Sequence, residues 1–173
     1  SGLMLVGKSR RGVDALVRAI AAREVQREYL ALGHKEWKRE SPFDVAQAVG
    51  RDPAQRLRMA VLREDHPGAK SARTTVRLLD TNEQACLVAC KLHTGRTHQI
   101  RVHMAWLGYS LVGDSLYGGR PIWGLQRQAL HATRLQLAHP VSGAALAFAC
   151  EPPVDIQRAV EQAGLHYNGY QPG

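Results

Sequence analysis

Leu92–Tyr117 reads LHTGRTHQIRVHMAWLGYSLVGDSLY. Arg96, His98, Arg101 and His103 crowd into its centre, beside an apolar run and between a glycine turn and a glycine-bearing loop. Apolar periodicity predicts a helix over Thr97–Leu107, with Ile100, Met104 and Leu107 on one face, Thr97 as N-cap and Gly108 at the end. Arg101, His98 and Gln99 fall off that face. A glycine turn opening a helix exposes backbone N–H groups that suit phosphate, and Arg96 adds a planar cationic fork. An arginine beside a core is costly unless paired, so Arg101 calls for a carboxylate partner. An ordinary exposed helix with solvated charges fits the same composition. Leu111–Gly119 reads as a turn-forming loop.

Outward from this stretch, Gly12–Val25 reads as an amphipathic helix and Glu28–Gly33 as a strand. Trp37–Pro53 is irregular, broken by Pro42, Gly50 and Pro53. Arg56–Leu62 is a short strand candidate, and Asp65–Gly68 a turn. Ser71–Leu79 and Gln84–His93 pair across an Asp80–Glu83 turn. Leu130–Leu137 and Ala144–Cys150 form a hairpin around Pro140–Gly143, and Asp155–Ala163 is a last helix closed by Gly164. Strands joined by turns outnumber helices, which favours an α+β fold with a mostly antiparallel sheet.

The chain has 173 residues, 45% hydrophobic and 22% charged, with a net charge of +8. That composition makes a globular chain with a sizeable core. The charge suits a polyanionic partner. Cys86, Cys90 and Cys150 form no CxxC pair. Cys86 and Cys90, four apart, share one side of a strand and read as core in a reducing compartment. His98 and His103 lack the spacing of a metal-binding helix, so no metal is expected and both read as hydrogen-bonding groups. No apolar run reaches the ~18 residues of a membrane span. Tyr29, among Arg23, Arg27 and Glu28, is able to stack on a base; a plain sheet aromatic fits as well. Leu130 at a strand start reads first as core.

Several segments together resemble the RluA-type pseudouridine synthases. Gly95–His103 (GRTHQIRVH) is similar to the family's longest motif, and Arg27–Leu32 (REYLAL) to its (R/K)-x-Y-x-A segment. Arg58–Val61 and Lys70–Thr74 resemble its RMAV and GK-x-A-x-T stretches. Gln128–Ala132 and His139–Gly143 resemble its closing strands, in the RluD subgroup that acts on large-subunit rRNA. The resemblance implies a pseudouridine synthase fold, a mixed and mostly antiparallel sheet flanked by helices and loops. It implies an enzyme that isomerises uridine to pseudouridine in 23S rRNA or ribosomal precursor particles. It further implies no cofactor and no membrane, a monomer, and a cytoplasmic setting. Tyr29 matches the tyrosine that stacks on the flipped uracil and is a candidate for assisting proton removal at C5. Arg101 matches the arginine that pairs with the catalytic aspartate. Leu130 matches a pocket-wall residue, and Arg96, His98 and Gln99 match positions near the RNA backbone.

In this family the aspartate lies in HRLD-x-x-(S/T)SGL, and the chain begins at Ser1-Gly2-Leu3. Residues 1–173 therefore read as an N-terminally truncated catalytic domain, without the HRLD segment or an S4-type RNA-binding domain, and are expected to be inactive as they stand. A non-catalytic RNA-binding module on the same scaffold is the competing reading. A DNA-binding protein ranks last, because no helix-turn-helix pair is visible.

Overall fold

The computed structural model describes residues 1–169. In chain order the elements are α1 (Arg10–Ala21), β1 (Gln26–His34), β2 (Phe43–Val45), β3 (Val49–Arg51), β4 (Met59–Val61), β5 (Thr74–Thr81), β6 (Ala85–Leu92), α2 (Gln99–Trp106), β7 (Leu130–Ala138), β8 (Ala145–Ala149) and α3 (Val154–Gln162). A 3-10 turn, Ser115–Tyr117, follows α2. Six strands form one sheet in the order β2-β5-β6-β1-β7-β8, every pair antiparallel. β3 and β4 pair separately.

β6 reads ACLVACKL, apolar almost throughout rather than alternating, and is buried along nearly its whole length. That is the composition of a strand covered on both faces. On one face Ala31, Cys86, Val88 and Cys90 pack with Ile100 and Met104 of α2. On the other, Leu30, Leu32 and Leu87 pack with Ile156, Ala159 and Val160 of α3. The period-2 alternation of β1 and β6 thus assigns successive side chains to two cores. Burial pushes the Cys86 thiol up to about 12 and the Cys90 thiol up as well. Both are inert core groups.

Some boundaries differ from the sequence reading. The first helix is Arg10–Ala21, not Gly12–Val25. Ser9 caps it, its Oγ accepting from Gly12 N–H at 3.1 Å. Val25 lies beyond the helix, buried with Leu135 and Leu137. The Trp37–Pro53 stretch contains two short strands, and only Met59–Val61 of Arg56–Leu62 is strand. The turn after β5 is set by Asn82, whose Oδ1 accepts from the N–H groups of Gln84 and Ala85 at 3.0 and 3.1 Å.

The first three residues add to the sheet at the start of β7. Gly2 bridges Ala132 in parallel. Ala132 N–H donates to Ser1 O at 2.9 Å, and Leu3 N–H to Ala132 O at 3.1 Å. Gly2 has φ +95°, and a Cβ there would lie 2.3 Å from Ala132 O. Only glycine fits that approach.

Candidate active site

The turn before α2 is built around Gln99, which is 2% exposed. Its Oε1 accepts from Thr94 Oγ1 at 2.7 Å and from Arg96 N–H at 3.0 Å. Its Nε2 donates to Arg73 O at 3.0 Å and to Thr74 Oγ1 at 2.9 Å. The amide is fully engaged, so Gln99 serves the turn that presents Arg96. Thr97 does not cap α2. The N-cap position is His98, in the left-handed region at φ 57°, with no side-chain cap bond. The Gln99 amide fixes the chain here in place of a hydroxyl cap.

Behind Gln99 runs a buried relay. Thr74 Oγ1 meets His103 Nδ1 at 2.9 Å, and His103 Nε2 meets Gln47 O at 2.9 Å. A carbonyl only accepts, so Nε2 carries the proton and Nδ1 accepts from Thr74. That assignment agrees with the Gln99 donation into Thr74. Burial lowers the His103 pKa and keeps the ring neutral.

Arg101 leaves α2 on another side. Its Nε and Nη2 donate to the two carboxylate oxygens of Asp114 at 2.8 and 2.7 Å. The two side chains are 13% and 1% exposed. These hydrogen bonds hold the guanidinium above its ordinary pKa. Its Cζ lies 4.8 Å from the centre of the Tyr117 ring, close enough for a cation–π contact. Tyr117 OH accepts from Met59 N–H at 2.9 Å and meets His98 Nδ1 at 2.8 Å. Burial, followed by Arg101, lowers the His98 pKa. Arg101 thus has its carboxylate partner, supplied by Asp114 across the loop after α2.

Tyr29 sits in β1 opposite Cys90 on one side and Ala132 on the other, next to a β-bulge at Glu28/Tyr29. It and Leu130 are half-buried and pack against the same core as Ile100 and Met104. Burial raises the Tyr29 pKa, Arg27 partly opposing it. The hydroxyl is therefore a neutral phenol near pH 7. Gly2, Ala132 and Tyr29 occupy three adjacent positions across the sheet, a span of about 10 Å at ordinary strand spacing. Ser1 N donates to Leu130 O at 3.3 Å.

Arg96 is exposed and donates from Nε to Ser71 O at 2.9 Å. Beside it opens a cleft of about 430 Å³, whose lining among the described residues includes Arg51, His66, Lys70 and Arg96 and no acidic residue. The arrangement offers a half-buried aromatic and leucine wall, an arginine held by a buried carboxylate, and a basic cleft along the adjoining turn. Among the described residues no group of three or more His, Cys, Asp or Glu side chains is placed to hold a metal ion. No helix among them is long and apolar enough to cross a membrane.

Residues 1–106 match the RNA pseudouridylate synthase family. The chain belongs to that family. It is similar to the ribosomal large subunit pseudouridine synthase D of Haemophilus ducreyi, 36% identical over 184 residues, covering 99% of this chain and 55% of the relative. It is also similar to an uncharacterized RNA pseudouridine synthase of Chloroflexus aurantiacus, 42% identical over 163 residues, covering 94% and 50%. The chain thus spans about half the length of these curated relatives. The structure of human RNA pseudouridylate synthase domain containing 4 superposes with a TM-score of 0.75 at 19% identity, covering 93% of this chain and 70% of that one. This supports the pseudouridine synthase fold, α+β around a mostly antiparallel sheet.

Two residues of this family member escaped the sequence reading, Asp114 and Tyr117. The signal for Asp114 was available. It is the only acidic residue between Gln84 and Cys150, so the carboxylate demanded by Arg101 had one nearby source downstream. Tyr117 had no such signal, because its contacts join two distant segments, Met59 and the His98–Arg101 start of α2.

Proposed function

We propose that this chain is the catalytic domain of an RNA pseudouridine synthase that isomerises uridine in large-subunit ribosomal RNA. The observation that carries the proposal is the adjacency of Ser1–Leu3, Ala132 and Tyr29 across one sheet. In HRLD-x-x-(S/T)SGL the aspartate stands four positions ahead of the serine matched by Ser1. Four extended residues span about 13 Å, enough to bring that carboxylate to the wall formed by Tyr29 and Leu130.

The target uridine leaves its stack to be reached. Its base lies on the Tyr29 ring against Leu130. The N-glycosidic bond opens, the base turns, and it rejoins the sugar through C5. The aspartate attacks C1′ or deprotonates the 2′ position. Arg101 uses its Nε–Nη2 edge on Asp114, which leaves the Nη1 side to orient the aspartate. A guanidinium so fixed keeps that carboxylate ionised and aligned. The raised pKa of Tyr29 favours stacking over action as a phenolate base. Arg96, His98 and the basic cleft follow the RNA backbone, while Gln99 fixes the turn that carries Arg96. The relatives' names include the large ribosomal subunit, which supports rRNA as substrate.

The test joins an HRLD-bearing segment ahead of Ser1 and measures tritium release from large-subunit rRNA labelled at uridine C5. Release that disappears when the aspartate becomes asparagine is expected. RNA binding without release in the aspartate form would make the chain an RNA-binding module instead.

A further inference from the structure

Arg27 is half-buried in β1, and its Nε is buried without a hydrogen-bond partner. No ion pair or hydrogen bond engages its guanidinium among the described residues. Leaving such a donor unsatisfied is costly. The guanidinium lies over Gly95. A Cβ built there would stand 2.6 Å from Nη1, 3.1 Å from Nη2 and 3.3 Å from Cζ. Gly95 thus leaves the space that the Arg27 fork occupies. Arg96, the next residue, faces the basic cleft. Arg27 also lies close enough to Tyr29 to act on its hydroxyl electrostatically.

We infer that Arg27 is a phosphate-binding residue, taking a phosphodiester that flanks the nucleotide whose base rests on Tyr29. The inference rests on reading this site as one that takes a uridine from RNA. Its basis is a fork-shaped donor held between the aromatic wall and the Gly95–Thr97 turn, with a buried N–H that the protein leaves unmet. Arginine presents two parallel N–H groups to a phosphate, and a lysine reproduces the charge without the fork. Bound phosphate would join the Tyr29 wall to the backbone track along Arg96.

The probe is an RNA hairpin whose loop holds one uridine among cytidines, made also with a neutral methylphosphonate at the linkage 5′ or 3′ to that uridine. Wild-type chain, Arg27→Lys and Arg27→Met are compared for hairpin affinity. For the wild type, one methylphosphonate should weaken binding about tenfold, the effect of one lost charged contact. For Arg27→Met the same replacement should have no further effect, and Arg27→Lys should fall between. Arg27→Met should also melt at or above the wild-type temperature, because it removes an unsatisfied buried donor. Equal methylphosphonate penalties in wild type and Arg27→Met would overturn the inference, as would a clear loss of thermal stability in Arg27→Met. Failure of the wild type to prefer the uridine hairpin over an all-cytidine one would instead remove the reading of the site, and the inference with it.

Discussion

Asp114→Asn offers the sharpest test of the site's energetics. Asp114 and Arg101 share two hydrogen bonds at 2.7 and 2.8 Å, with side chains 1% and 13% exposed. Two charges so far from water are balanced chiefly by each other, and removing one partner of such a pair costs about 3–5 kcal/mol. Asparagine keeps one acceptor oxygen, so its loss should fall near the lower end, about 3 kcal/mol. In a domain of this size each kcal/mol shifts the midpoint by roughly 2–4 °C, so Tm should drop by about 6–12 °C. Arg101→Met strands a carboxylate with almost no access to solvent and should cost at least as much. The double variant Arg101→Met/Asp114→Leu removes both charges and should return to within about 1 kcal/mol of wild type. Urea unfolding of wild type, Arg101→Met, Asp114→Leu and the double variant completes a double-mutant cycle. Strong coupling is expected, with the double variant more stable than either single one. If each single variant lost less than about 1 kcal/mol and the double equalled their sum, the buried-pair argument would be wrong. Joined to an HRLD segment, the double variant should still fold and bind RNA but show no turnover.

Tyr29→Phe keeps the stacking ring and should bind RNA like wild type, whereas Tyr29→Ala should lose about 1–3 kcal/mol; equal dissociation constants for wild type and Tyr29→Ala would leave Tyr29 a sheet aromatic. His34, His93, His98, His103 and His131 are all lowered by burial from the ordinary value of 6.5. Here the unfolded chain binds more protons, so stability is complete above about pH 6.5 and falls as the pH drops below it. Asp44, Asp52 and Asp80 are held below the ordinary 3.8 by hydrogen bonds, which adds a second loss below that value. His103→Asn removes the titrating ring and keeps an acceptor for Thr74 at the Nδ1 position, and it should flatten the first limb in urea midpoints measured from pH 7 to 5. Gly95→Ala should displace the Arg27 side chain rather than backbone, so RNA affinity should fall while Tm changes little. A salt titration of RNA binding should give a steep negative slope, reduced by about 0.7–0.9 for each phosphate-contacting cation removed; a flat line would refute the basic cleft.

The strongly patterned parts of the chain were legible. The apolar run of β6, the β7–β8 hairpin and the closing helix all follow from periodicity and turn residues, because their neighbours are local or their burial is two-sided. The need of Arg101 for a carboxylate also followed from the cost of burying a charge. What stayed hidden depended on distant pairings. Gln99 read as a surface residue, yet its amide closes a turn against Arg73 and Thr74, which β5 brings alongside. Thr97 looked like a cap because a hydroxyl stands just ahead of the apolar stretch, but the helix begins one residue later, with His98 in the left-handed region at the N-cap position. β2 and β3 are three residues each and gain their order from β5 and β4, so their own sequence carries little signal.

The place of β1 also has a consequence for how the protein is made. It lies inside the sheet, yet its partners are β6 and β7, encoded far downstream, and Gly2 waits for Ala132. During synthesis, the first strand leaves the ribosome with neither neighbour yet in existence. At 5–20 residues per second, the gap to β7 lasts on the order of 5–20 s. The β5–β6 hairpin, by contrast, closes on itself as soon as it emerges. The apolar β1 must stay soluble until β7 has been made, and a stop codon before Leu130 would leave its β7 edge uncovered.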